Sequence, residues 1–329
     1  SNSGALIVDR SAYLQLATAI SGTGTLQKLG SGTLDIAANN TYSGATTISA
    51  GTLSIGTGGT AGSVAGNIAN SGSLVFNRSD ASTYAGSISG SGGMTKLGTG
   101  SLTLSGSSTN TGAMLVSAGE LKLNGTTGTG AVTIASAATL SGTGTIRGAT
   151  TISGTHTPGN SPGIQTFTSD LTYAQQGVTG PKVFWELSGN TTSNSPLAYD
   201  QVNVGGNLDF QAGTSLALAF GGPGSAVDWS NPFWSHWQQW TVYNVSGTTT
   251  GVSNLLLEGS PWADSTGAWL SAVRPGYTFY IAQIGQNVVI EFVPEPSTYA
   301  LAVVGLAVAG LRHLKKRRAA RAARMKLAA

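Results

Sequence analysis

The 329-residue chain contains no cysteine. That excludes a disulfide framework, a zinc–thiolate site and a cysteine nucleophile, and it leaves the redox compartment unmarked. Charge is scarce too: Asp, Glu, Lys and Arg together make up 9% of the residues. There are only three histidines, His156, His236 and His313. None has a second histidine or a carboxylate at ligand spacing, so no metal centre is expected. A Ser-His-Asp set would need one of them, and no G-x-S-x-G elbow is read as preceding them. The phosphate-binding G-x-x-x-x-G-K-[ST] is absent, and glycine-rich runs such as GTGTLQKLGSG lack the strand–turn–helix context of a dinucleotide site. Calcium-binding G-G-x-G-x-D nonapeptides are missing as well. No cofactor is expected.

Apolar residues make up 40% of the chain and 48 residues are glycine. That apolar share argues against disorder, because it supplies surface to offset the entropy of ordering. Few charges, much Gly, Ser and Thr, and short apolar alternations suit an all-β chain of extracellular type. The net charge of +3 conceals an asymmetry. Eight of the 16 Lys and Arg lie from Arg312 onward, whereas all 13 acids precede that point, leaving the body at −5 and the tail at +8. A nucleic-acid partner is excluded, since the body has no basic patch with interleaved aromatics. The opening SNSGALIVDRSAYLQLATAI has no basic region and no continuous apolar core, so it is not a signal peptide.

Two stretches match without a gap, TLQKLGSGTLDIAANNTYSGATTISAGTLSIG from Thr25 and GMTKLGTGSLTLSGSSTNTGAMLVSAGELKLN from Gly93. The offset that carries Gly30 onto Gly98 also carries Asn2 onto Asn70. A repeat already running at Asn2 leads us to expect further units upstream. Within a unit, Leu34 and Ile36, Leu53 and Ile55, Leu74 and Phe76, and Leu102 and Leu104 alternate with polar residues, the period of a strand with one buried face. Turn residues separate the strands. The spacing predicts stacked coils of about 20 residues, each adding inward aliphatics to a long thin core. An up-and-down barrel or sandwich also gives spaced strands, but not so long a gapless self-match.

The residues Leu26, Lys28, Gly30, Gly32, Leu34, Ile36, Asn40, Tyr42, Gly44, Thr46, Ile48, Ala50, Gly51 and Leu53 form a pattern that resembles the autotransporter-associated β-strand repeat. The second copy departs at Asn110, in place of Tyr42, and at Met114, in place of Thr46. The resemblance implies a right-handed parallel β-helix on an exported bacterial surface protein, over residues 1–155. The membrane barrel of an autotransporter is not apparent, so self-secretion is not expected. Polysaccharide-cleaving β-helices carry acids or a basic residue in register on one face. Here Asp9 falls on Asn77 and Asp35 on Thr103, so the acids are read as scattered surface residues and the protein as not an enzyme.

The stretch THTPGNSPGIQTF, from Thr155, leads into residues 156–293; its Pro-Gly turns read as a corner or boundary, with His156 in the turn. The phrase resembles a step that follows such repeats in secreted bacterial proteins. Val202, Val204, Leu208, Phe210, Leu216 and Leu218 then alternate, which predicts further coils or a capping sandwich. A cap is required, because a solenoid end exposes unpaired backbone groups and apolar side chains. The cluster VDWSNPFWSHWQQW holds Trp229, Trp234, Trp237 and Trp240. Two readings stand side by side: a stacking platform for sugar rings, or a plug in which Trp234, Trp237 and Trp240, evenly spaced at every third position, lie on a short helix over the open end.

The last segment, 294–329, has three parts: Pro294, Glu295, Pro296 and Ser297; an apolar run with Tyr299, Ala300, Leu301, Val303, Val304, Gly305, Leu306, Val308, Gly310 and Leu311; and a basic cluster of Arg312, Lys315, Lys316, Arg317 and Arg318. It resembles the PEP-CTERM protein-sorting signal. A helix over Tyr299 to Leu311 rises about 20 Å, short of the roughly 30 Å hydrocarbon core. With snorkelling Arg312 it makes a marginal span whose basic end stays cytoplasmic. The resemblance implies one C-terminal apolar helix, a transient hold on the inner membrane of a Gram-negative bacterium, and cleavage near the Pro-Glu-Pro by an exosortase-type transpeptidase. It also implies release to the cell surface or extracellular matrix, with exopolysaccharide as a candidate partner and a structural or adhesive role. The rival expectation is a carbohydrate-binding or polysaccharide-processing β-helix that uses the tryptophans.

Overall fold

In the computed structural model, residues 1–176, 180–194, 198–222, 224–259 and 261–293 are described. The expected apolar helix and the whole of 294–329 lie outside them. Over the described residues the chain is an all-β solenoid whose strands pair in parallel with the next coil, so that backbone donors and acceptors are satisfied between coils. Leu6 lies on Leu26, and Leu26 on Thr46, so these coils have the length that the sequence spacing predicts.

Each coil runs over three faces. The first carries strands Ala5–Val8, Thr25–Lys28, Thr46–Ile48, Ile68–Asn70 and Ile88–Ser89. It continues through the isolated bridges Ser107↔Thr126 and Thr126↔Thr145 into a six-stranded sheet starting at Thr145–Ile146. The second face is an unbroken 11-stranded sheet from Leu14–Leu16 to Thr249–Thr250. The third becomes a ladder only at Ser82–Tyr84 and carries eight strands to Leu256–Leu257. Inward side chains of the three faces meet in one continuous core: Leu34, Ile36, Ile48, Leu53, Leu74, Val116, Ile134, Leu140 and Ile152 are all fully buried.

This geometry corrects the meaning of the sequence repeat. The repeat unit is not a whole number of coils. Strand Thr25–Lys28 lies on the first face, and its repeat partner Gly93–Lys96 lies on the second. Thr33–Ile36 lies on the second face, and Ser101–Leu104 on the third. The unit therefore winds three coils and one face further, and the step from Leu74 to Leu102 crosses from one sheet to another. The strand–corner–strand code is local and works at any edge of the prism.

The corner explains the motif. Lys28 is fully buried, and its Nζ donates to the carbonyls of Gly30 and Ala50, joining two coils. Lys96 repeats this with Gly98 and Ala118. Burial lowers both amines below the usual lysine pKa, with Asp9 and Glu120 opposing. Gly51 (φ +67°) and Gly119 (φ +65°) turn the next coil around each ammonium, and a methyl group there would strike a backbone carbonyl. The two departures in the second copy are one change: Tyr42 Oη and Thr46 Oγ1 are hydrogen-bonded at 2.6 Å, and both partners are replaced together.

The ladders continue past residue 155. Thr150 pairs with Leu171, and Leu171 with Leu208. Coils lengthen here, as the wider steps from Leu171 to Leu208 and from Leu208 to Thr249 show. The extra residues sit at the corners, not in the strands. The final coil is closed by an antiparallel hairpin, Thr278–Ile284 with Asn287–Val293, added to Gln238–Val245. The only α-helix among the described residues is Leu270–Val273, and none of their helices is long and apolar enough to cross a membrane.

Candidate functional site

The tryptophan cluster starts in an insertion between strands Ser215–Ala219 and Gln238–Val245 and ends with Trp240 on the second of them. Trp229, Trp234 and Trp240 are buried, as is Trp185 from the preceding coil; Trp237 alone of the four candidates is exposed, at 45%. Rings meet edge to face, with Trp229–Trp234 at 4.6 Å and Trp234–Phe292 at 5.0 Å. Phe279 of the terminal hairpin packs on Phe220 and Trp262, both at 5.1 Å. Two of the buried indoles donate into loops: Trp234 Nε1 to Asn190 Oδ1 at 2.6 Å and Trp240 Nε1 to Thr191 O at 2.7 Å. The rings of Trp229, Trp234 and Trp240 offer no free face to a sugar, and only Trp237 keeps one in solvent. The even spacing does not produce one helix either. Trp234 lies in the short 3-10 turn Pro232–Ser235 and Trp240 on a strand, so the same interval places them on different elements.

Two side chains fasten this plug. Arg274 donates to the carbonyls of Trp229 at 2.9 Å and Asn231 at 3.0 Å. Asp264 accepts from the backbone N–H of Trp229, Thr266 and Ala268, all within 3.0 Å. Its burial opposes ionisation, but these donors hold its carboxyl below the usual pKa.

His156 is not in a turn. It lies on strand Thr155–Pro158, points into the core and is fully buried. Gln165 Nε2 donates to Ser141 O at 3.2 Å, so its Oε1 accepts from His156 Nε2–H at 2.7 Å. His156 Nδ1 then accepts from Tyr173 Oη at 2.5 Å, which in turn accepts from Tyr243 at 3.0 Å. Every group in this chain has one consistent role, with the histidine neutral. Burial pushes its pKa down to about 4, with Gln165 opposing. Among the described residues, no group of three or more His, Asp or Glu is placed to hold a metal ion.

Gly159, Asn160, Ser161, Pro162 and Gly163 spell G-x-S-x-G, a match the sequence reading passed over. It joins two strands rather than a strand and a helix, and the Ser161 hydroxyl donates to Glu186 Oε2 at 2.6 Å, not to a histidine. It is no nucleophile elbow. The sorting-motif residues Pro294, Glu295, Pro296 and Ser297, the apolar run and the basic cluster lie outside the described residues.

Residues 26–55 and 94–123 match the Passenger-associated-transport-repeat family, two windows set apart by the same offset as the internal repeat. A stretch of 76 residues of the chain is 43% identical to the "Adhesin BmaC autotransporter" of Brucella suis biovar 1 (strain 1330). That match covers 23% of this chain and 2% of the relative's length, so the likeness is local.

Proposed function

We propose that the chain is a non-enzymatic surface rod of a Gram-negative bacterium, with a structural or adhesive role. The carrying observation is the corner motif, present twice within the stretches that match a family named for passenger transport; a local likeness to an autotransporter adhesin supports it. Coils that need only their neighbours suit a rod that folds after export. The finer reading is that the 294–329 segment directs sorting: an exosortase-type transpeptidase cuts near Pro294-Glu295-Pro296 and frees the rod from the inner membrane. What supports it is the order of motif, apolar run and basic cluster in the sequence.

Two experiments separate these layers. In cells producing the chain, external protease should digest it while a periplasmic marker survives; protection equal to the marker's would overturn the surface reading. In a host carrying the transpeptidase, Pro294→Ala, Glu295→Ala and Pro296→Ala together should leave full-length protein in the membrane fraction. Normal processing would overturn the sorting reading alone.

A further inference from the structure

The third face carries a groove of about 430 Å³ that the tryptophan reading did not include. Its floor is formed by outward residues of successive strands. Lys122 lies on Ser141 and Ser141 on Thr157, and further along Phe184 lies on Ala217 and Glu186 on Ala219. The small Ala219 lines one flank. The loop 158–163 forms the other wall.

That wall is pre-set. Asp200, buried, accepts from the N–H of Gly163 at 2.8 Å and of Glu186 at 3.0 Å, tying the loop to strand Lys182–Glu186. Ser161 sits at φ 70°, the only non-glycine with positive φ among the described residues. Such strain persists where surrounding structure enforces it, and it clusters at binding sites. A wall ordered in advance reduces the entropy lost on binding.

The lining is mixed in a specific way. Phe184 is 37% exposed, an outward aromatic on a strand whose Val183 and Trp185 point in. The Lys182 ammonium lies 4.7 Å from its ring centroid and is paired with Glu258 at 2.9 Å. Glu186 Oε2 is taken by Ser161 and Glu120 Oε1 by Ser141, at 2.6 and 2.5 Å, so one oxygen of each carboxylate remains open among the described residues. Asn160 uses its Nδ2 toward Asn124 and Thr143, which leaves its amide oxygen open.

We propose that this groove binds a short segment of neutral glycan. Phe184 supplies the apolar face on which a pyranose ring stacks, and the free oxygens of Glu186, Glu120 and Asn160 accept its hydroxyls. Open acceptors beside an exposed ring are the complement of a polyol with apolar C–H faces. Two carboxylates against the lining ammonium of Lys122 disfavour a uronate chain. The volume lies within the usual range of ligand sites. Parallel strands stacked about 4.8 Å apart repeat the floor at close to the rise of an extended sugar chain.

The test uses the full chain on an array of neutral and uronate oligosaccharides, followed by calorimetry on the best neutral probe. The expected result is one-to-one binding of a neutral oligosaccharide, tenfold or more weaker in Phe184→Ala, unchanged in Trp237→Ala, with no uronate signal. Ser161→Gly separates binding from folding: it relieves the positive φ, so its melting temperature should match or exceed that of the parent while affinity falls. Absence of any neutral ligand, unaltered binding in Phe184→Ala, or loss in Trp237→Ala would overturn the groove. None of these results bears on protease access at the cell surface, so the rod reading stands or falls separately.

Discussion

Residues 1–155 and 156–293 share the same parallel ladders but fill them differently. The first region winds short coils, of which Leu6 to Leu26 is typical, around Leu, Ile, Val and Met, with Tyr42, Phe76 and Tyr84 as its buried rings. The second stretches its coils, the longest running from Leu208 to Thr249, and buries Trp185, Trp229, Trp234, Trp240, Phe167, Phe210, Phe220 and Phe279. The difference shows where a solenoid tolerates growth. Strand registers stay fixed because they carry the backbone hydrogen bonds, while corners absorb insertions. Those insertions then fold over the core and bring rings that a short coil has no room to hold. The first region is stabilised mainly by nearest-neighbour stacking, the second by a laterally packed aromatic plug closed by a hairpin.

The largest effect that would break this contrast is Trp234→Ala, expected to cost about 3–5 kcal/mol, as for other buried aromatics. Hydrogen exchange should show lost protection in strands Gln238–Val245 and Asn287–Val293, with Thr33–Ile36 and Thr52–Ile55 unchanged. Uniform loss along the chain would mean that the two regions are one cooperative unit. Trp237→Ala, at an exposed position, should stay within about 0.5 kcal/mol in the same measurement.

Next comes pH. His156 is neutral when folded, with a pKa of about 4 against 6.5 for the free side chain, so the unfolded chain binds the extra proton between those values. Its contribution is complete above pH 6.5 and is lost as pH falls toward 4, about 3 kcal/mol in all. Asp200, raised to about 8 by burial, acts in the opposite sense, losing stability as pH rises toward 8. The difference between the parent and His156→Phe in urea titrations isolates the histidine. A difference that does not vary between pH 7 and 4.5 would contradict the buried network.

The last concerns the corners. Gly51→Ala and Gly119→Ala should each cost about 1–3 kcal/mol from positive φ, with the clash against the Gly32 and Gly100 carbonyls adding to it, and by similar amounts, because the same corner recurs one face further round. Unequal costs would show that the faces are not equivalent.

The strands of the first region were legible because each has one buried and one exposed face, so Leu34 and Ile36 alternate visibly with Thr33 and Asp35. The face each strand occupies was not, since Lys28 and Lys96 carry the same local signal at different edges. Hydrogen-bond ladders are set between coils, and a single chain does not display them. His156 was misplaced because Pro158 and Gly159 dominate the local pattern, although Thr155–Pro158 still alternates inward at His156. The tryptophans stand out in the sequence, but their even spacing does not separate a helix from a turn running into a strand. The groove was missed because its lining is distant in sequence: Glu120, Asn160 and Glu186 meet only through stacking. Phe184, an outward aromatic in K-V-F-W-E, was the one signal available.

The absence of native cysteine allows the winding itself to be measured. Gln27 and Thr47 are facing partners in adjacent coils, whereas Asp35 and Thr103 are equivalent in the repeat but lie on different faces. Neighbouring parallel strands bring facing Cα atoms within disulfide range. The measurement is the extent of oxidation of two double variants, Gln27→Cys with Thr47→Cys and Asp35→Cys with Thr103→Cys, under native conditions. The solenoid predicts near-complete bridging in the first and none in the second; bridging of the repeat-equivalent pair, or a free first pair, would contradict it.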